Sequence, residues 1–117
     1  MNIETWLEKF KNYWEAHDIE KVLSLFDKNV VYHETPFVKL KDFDKLAQEW
    51  QVIKNQEDIR LDFKVFSSCE NKHSVIWTLK YYNTKKDTEK NLAGTYLIEF
   101  NDQGLCTFFH HTLELKK

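Results

Sequence analysis

Two short stretches, "VVYHETPF" (residues 30–37) and "FFHHTLE" (residues 108–114), carry the side chains in this chain best suited to moving protons. The first sets His33 beside Glu34, and the second sets His110 beside His111. Histidine titrates near neutral pH, which fits it for general acid and base work. Both stretches read as strands, and consecutive strand residues point to opposite faces. His33 and Glu34 therefore cannot serve one site together, and neither can His110 and His111. In the second stretch the alternating set Cys106, Phe108, His110 and Thr112 is the more polar, which suits either a pocket wall with a few directing groups or an exposed sheet face. His110 is taken as the inward residue, although alternation alone leaves register and face open. Tyr81 and Tyr96 offer hydroxyl donors for a carbonyl or phenol, whereas Glu99 alternates away from Tyr96. A lone histidine is also commonly a hydrogen-bonded structural residue, so each position has a plain reading beside the catalytic one.

The elements that position these groups follow from hydrophobic period. Ile3, Trp6, Leu7, Phe10 and Trp14 recur at three- and four-residue spacing, the stripe of an amphipathic helix that ends near Ala16. Asp18 is a suitable N-cap for a second helix with Ile19, Val22, Leu23 and Phe26 on its buried side. His17, just before that cap, falls at the end of the first helix, where the helix dipole favours a cation. From Asp42 the pattern repeats in Phe43, Leu46, Ala47, Trp50 and Ile53, a third helix. From Asp58 onward the period becomes two: Ile59, Leu61, Phe63 and Val65 alternate with Arg60, Asp62 and Lys64. Further strands are expected from about Ser74 to Asn83, Leu92 to Phe100 and Leu105 to Leu115, with turns at "ENKH", "NTKKDTEK" and "NDQG". His73 falls in the first of these turns and is expected to be solvated. Helices gathered early and strands late predict an α+β domain in which three N-terminal helices pack on a strongly curved, mostly antiparallel sheet.

Composition narrows the function. At 117 residues the chain has the size of one domain, taken as residues 1–117. Arg60 is the only arginine and the formal charge is −2, which argues against a nucleic-acid partner. The lysines of "KYYNTKKDTEKN" are interspersed with Asp87 and Glu89, the pattern of a solvated hairpin tip. The N-terminus has neither a long apolar run nor a small-residue cleavage site, so no membrane partner is expected and a cytoplasmic location is the default. Cys69 and Cys106 match no metal spacing, and no two histidines stand at the i, i+4 spacing of a helix or the i, i+2 spacing of one strand face. Neither a metal nor a cofactor is expected. The aromatic share of 15% is high, so bulky rings must fill a core or line a cavity.

The order of elements resembles the nuclear-transport-factor-2-like superfamily, and "YWEAHDIEKVLSLFDKNVVYHETPF" and "LAGTYLIEFNDQGLCTFFHHTLE" resemble the opening and closing segments of its SnoaL-like branch. That resemblance implies a cone with an internal pocket between helices and sheet, a small apolar molecule within it, and a homodimer through the outer sheet face. The superfamily includes isomerases, dehydratases, cyclases and non-catalytic transport factors, so fold does not choose among them. In ketosteroid isomerase the base is an Asp directly before the Pro that follows the first strand, where this chain has Thr35. Its oxyanion-stabilising Tyr corresponds to Phe10. Both departures argue against steroid isomerisation by that route, although Glu34 lies one residue from the base position and would substitute if the strand end twisted. Aligned through Pro36, Val31, His33 and Thr35 face the pocket, while Tyr32 and Glu34 face away. The expected site therefore pairs His33 with His110 as catalytic groups, with Cys106 alongside. Phe10, Trp14, Phe37, Trp50, Trp77, Tyr96, Cys106 and Phe108 are expected to line the ligand. The alternatives are a non-catalytic binding pocket and a protein-interaction module that uses the outer sheet.

Overall fold

The computed structural model describes residues 2–117. Helix α1 (Ile3–Glu15) starts where the Asn2 side chain accepts hydrogen bonds from the backbone N–H groups of Glu4 and Thr5, at 2.8 and 3.2 Å. Asp18 caps α2 (Ile19–Leu23), and Asp42 caps α3 (Phe43–Trp50), in the same manner. A 3-10 turn (Gln51–Asn55) continues from α3 and carries Ile53 into the core. The strands are β1 (Phe26–Thr35), β2 (Val38–Lys39), β3 (Gln56–Cys69), β4 (Lys72–Asn83), β5 (Thr88–Phe100) and β6 (Cys106–Leu115). Thus α2 has five residues, and Phe26, expected on its buried side, opens β1 instead. The sheet captures it: Phe26 pairs with Cys106, and the Cys106 N–H donates to the Leu25 carbonyl at 2.9 Å. His73 lies on β4 rather than in a turn, its Nδ1 bonded to the Ser68 hydroxyl at 2.7 Å.

The six strands lie in the order β2-β1-β6-β5-β4-β3. All neighbours are antiparallel except β1 and β6, which run parallel. The sheet curls without closing, and the helices cover its concave face. Val75, Trp77 and Leu79 of β4, Tyr96 and Ile98 of β5 and Leu61 of β3 point into the core with the α1 stripe. Phe10 sits at the centre of this packing, with its ring 5.1 to 6.2 Å from those of Trp6, Trp14, Trp50, Phe63, Tyr96 and Phe109. Full burial of one such ring stabilises the fold by roughly 1.5–3 kcal/mol.

Gly94 on β5 marks the tightest approach of the curled sheet. A Cβ at this position would fall 1.9 Å from the Thr112 carbonyl oxygen of β6. No rotamer change relieves a clash with backbone. Gly94→Val is expected to force β5 and β6 apart and to cost at least about 2 kcal/mol in urea unfolding.

Candidate functional site

Beneath the helices lies a cavity of about 180 Å³. Its walls come from α1 (Phe10, Trp14), β1 (Tyr32, Glu34), α3 with the turn after it (Glu49, Trp50, Ile53), β3 (Gln56), β4 (Trp77, Tyr81), β5 (Tyr96) and β6 (Phe109, His111). Of the expected ligand-lining residues, Phe10, Trp14, Trp50, Trp77 and Tyr96 are at this cavity. Phe37 is not: it is 100% exposed on the turn between β1 and β2. Cys106 is fully buried away from the cavity, with its thiol against the Phe108 carbonyl at 3.2 Å. Burial pushes that thiol far above the ordinary range, so it is not a thiolate.

His33 and His110 do meet, but outside the cavity. They are register partners on β1 and β6 with ring centroids 5.0 Å apart, and neither lines the cavity. The inward residues are their chain neighbours Tyr32, Glu34, Phe109 and His111. The assignment of faces is therefore reversed on both strands, and β6 shows why. Glu99 pairs with Phe108 while the next residue, Phe100, pairs with Cys106, so Thr107 is an extra residue in β6. This bulge breaks the period of two. Cys106 and Phe109 consequently share the buried side, and Phe108 and His110 turn outward together. On β1, Tyr32 stacks on Phe109 at 4.9 Å and is buried, which carries Glu34 inward with it.

One step beyond the His33 and His110 pair, Glu34 and His111 therefore come side by side on the concave face. Neither ring nitrogen of His111 makes a hydrogen bond, although both are shielded from water. Burial lowers its pKa to about 4, partly offset by the nearby Glu34 carbonyl, so the imidazole is neutral at physiological pH. Its ring lies 5.1 Å from Trp77 and 5.3 Å from Tyr96. The Glu34 carboxyl is shifted the other way: burial first, and then the charge of Glu49, raise its pKa above the ordinary carboxylate value. Burial, aided by the Glu34 charge, holds the Tyr32 and Tyr96 hydroxyls protonated well above the usual phenol range. The site thus presents a weakly acidic carboxyl, a neutral imidazole and two hydroxyl donors against aromatic walls. The indole N–H of Trp77 is also buried without a partner.

Gln56, which the sequence patterns did not single out, ties the helices to this wall. Its side-chain carbonyl accepts from the Trp14 indole at 2.8 Å, and its backbone carbonyl faces His17 Nε2. His17, expected at the end of α1, lies there with φ 59° and hydrogen-bonds to the Gln56 backbone carbonyl. Among the described residues no group of three or more His, Cys, Asp or Glu side chains is placed to hold a metal ion.

A family profile described as a SnoaL-like domain matches residues 7–108. The chain belongs to the SnoaL-like domain family. No curated protein matches it by sequence. Solved structures similar to this SnoaL-like domain include the Δ5-3-ketosteroid isomerase of Mycobacterium sp., with TM-score 0.78 and 16% identity, covering 96% of each chain. A Mycobacterium tuberculosis protein in complex with estradiol-17β-hemisuccinate superposes with TM-score 0.78 and 17% identity, over 94% of this chain and 95% of the other. A nuclear-transport-factor-2-like protein of unknown function from Exiguobacterium sp. 255-15 gives TM-score 0.77 at 14% identity, over 93% and 98%. At these identities the likeness establishes the fold alone.

The buried imidazole has a thermodynamic consequence. Between pH 6.5, the ordinary histidine value, and about 4, the unfolded chain binds a proton at His111 that the folded one refuses. Stability must therefore fall as pH drops through that window, by at most about 3 kcal/mol. Glu34, shifted upward, works in the opposite sense. In thermal unfolding followed from pH 7 to pH 4, His111→Phe is expected to flatten the acid decline relative to wild type.

Proposed function

We propose that this SnoaL-like domain binds a compact, largely apolar molecule in the cavity and moves a proton on it without a cofactor, with Glu34 as the base. The observation that carries this reading is the juxtaposition of a carboxyl with raised pKa and a neutral imidazole among the lining residues of an aromatic cavity. A carboxylate whose pKa is raised toward neutrality is a better proton acceptor than one in water. As Glu34 takes a proton from carbon beside a carbonyl, charge develops on the carbonyl oxygen. The N–H of His111 and the protonated hydroxyls of Tyr32 and Tyr96 are donors able to meet it. The proton then returns at another carbon, giving isomerisation, or leaves with a hydroxyl, giving dehydration. His33 and His110 have no part in this scheme.

The steroid isomerase and the estradiol conjugate complex among the structural neighbours support a small apolar partner. The cavity of about 180 Å³ supports a smaller one. An apolar cavity of roughly 150 Å³ holds a benzene molecule, so the volume suits one ring and a few further atoms rather than four fused rings. A suitable first probe is 3-cyclohexenone, whose conversion to the conjugated ketone is read by ultraviolet absorbance. Glu34→Gln is expected to lower turnover by on the order of 10²–10⁴, while His33→Ala and His110→Ala leave it within about twofold. A Glu34→Gln protein as active as wild type would sink this assignment.

We also propose that the whole chain acts as one cytoplasmic domain that pairs with a second copy through the outer sheet face. Cys69 and Cys106 are free thiols, which suits a reducing compartment. On the outer face at the sheet centre Ile76 and Leu97 remain 40% and 46% exposed, flanked by the joined hydroxyls of Thr95 and Thr112 and by His110, with Lys64 of β3 opposite Ile76. The exposed apolar pair supports contact with a second copy on this face. Leu97→Glu is expected to shift the mass in light scattering from dimer to monomer with no loss of helical signal.

A further inference from the structure

The cavity carries two carboxylates and no cationic side chain. Glu34 enters from β1 and Glu49 from α3, and no lysine or arginine lines the walls. Glu49 has a surface partner in Lys45 at 3.3 Å. Glu34 forms no ion pair among the described residues. A half-buried carboxylate that faces a second one is electrostatically incomplete, because its desolvation is offset only by a proton or by an opposite charge. The surrounding walls are largely aromatic. Trp14 and Trp50 meet edge to face with centroids 4.9 Å apart, and Trp77 stacks on Tyr96 at 5.3 Å. Aromatic faces carry the negative part of the ring quadrupole and attract organic cations.

We propose that the molecule taken into this cavity is a compact organic cation, a single-ring amine in its ammonium form, with its charge at Glu34 and Glu49 and its apolar body against the Trp14, Trp50 and Trp77 rings. This inference rests on the cavity reading above and names the charge class of its occupant. The cavity volume of about 180 Å³ limits the body to one ring with a short substituent. A cation beside Glu34 and Glu49 offsets their mutual repulsion and lets both remain ionised. An anion of the same size meets the unpaired Glu34 charge with no lysine or arginine in the cavity wall, so carboxylates and phosphates are rejected.

Three probes of nearly equal size separate charge from shape: benzylammonium, benzyl alcohol and benzoate, each titrated at low salt against the indole N–H signals of Trp14, Trp50 and Trp77 in two-dimensional NMR. Benzylammonium is expected to bind at least tenfold more tightly than benzyl alcohol, with benzoate weakest. Glu34→Gln, a near-isosteric change whose folding is checked by the dispersion of the same spectrum, is expected to bring the ammonium and the alcohol within about twofold. If the alcohol binds wild type as tightly as the ammonium does, the charge class is wrong while the cavity reading stands. If no probe moves any of the three indole signals, the cavity reading falls and this inference falls with it. An ammonium preference that survives unchanged in both Glu34→Gln and Glu49→Gln places the cation elsewhere and also overturns the proposal.

Discussion

The parallel pairing of β1 with β6 is the constraint on which the site depends. It joins the short N-terminal strand to the end of the meander, and it sets which side chains of both strands turn toward the helices. Because His33 is locked opposite His110, Glu34 and His111 are delivered together to the concave face. The extra residue at Thr107 lets Cys106 close the core near α2 while Phe109 and His111 face inward further along the same strand. Without that bulge, a single strand would have to bury either Cys106 or Phe109, but not both.

Aromatic packing holds this geometry from the helix side. Phe10 lies at the junction of α1, α3 and the sheet and is the hub of the core. Gln56 adds direction to packing, which by itself is non-directional. It spans the end of α1 and the start of β3 with a side-chain and a backbone hydrogen bond, and it is the only buried polar residue of the core among the described residues. Removal of such a group leaves an indole N–H without a partner, a cost carried by the folded state alone.

The same low-polarity interior separates the protonation states of the site. Desolvation disfavours charge on whichever group bears it, so it lowers the pKa of His111 and raises those of Glu34, Tyr32 and Tyr96. A weakly acidic carboxyl, a neutral imidazole and two hydroxyl donors thus share a wall that has no lysine or arginine. Glu49 adds a second negative charge, which deepens the shift at Glu34.

The sequence by itself determined the elements and most of the core. The α1 stripe, the acidic caps at Asp18 and Asp42 and the period of two from Ile59 are local patterns, and local backbone geometry turns them into helices and strands without reference to the rest of the chain. Phe10, Trp14, Trp50, Trp77 and Tyr96 were legible as inward residues because each belongs to an uninterrupted apolar stripe or face. The tertiary structure alone decided which of two adjacent residues entered the cavity. In "VVYHETPF" and "FFHHTLE" both alternating sets contain polar and apolar members, so the local pattern is nearly symmetric between faces. The bulge at Thr107 and the stacking of Tyr32 on Phe109 break that symmetry, and both arise between strands far apart in the chain. A one-residue change of register exchanges every side chain on a strand, so Glu34 and His111 were selected by pairing, not by composition.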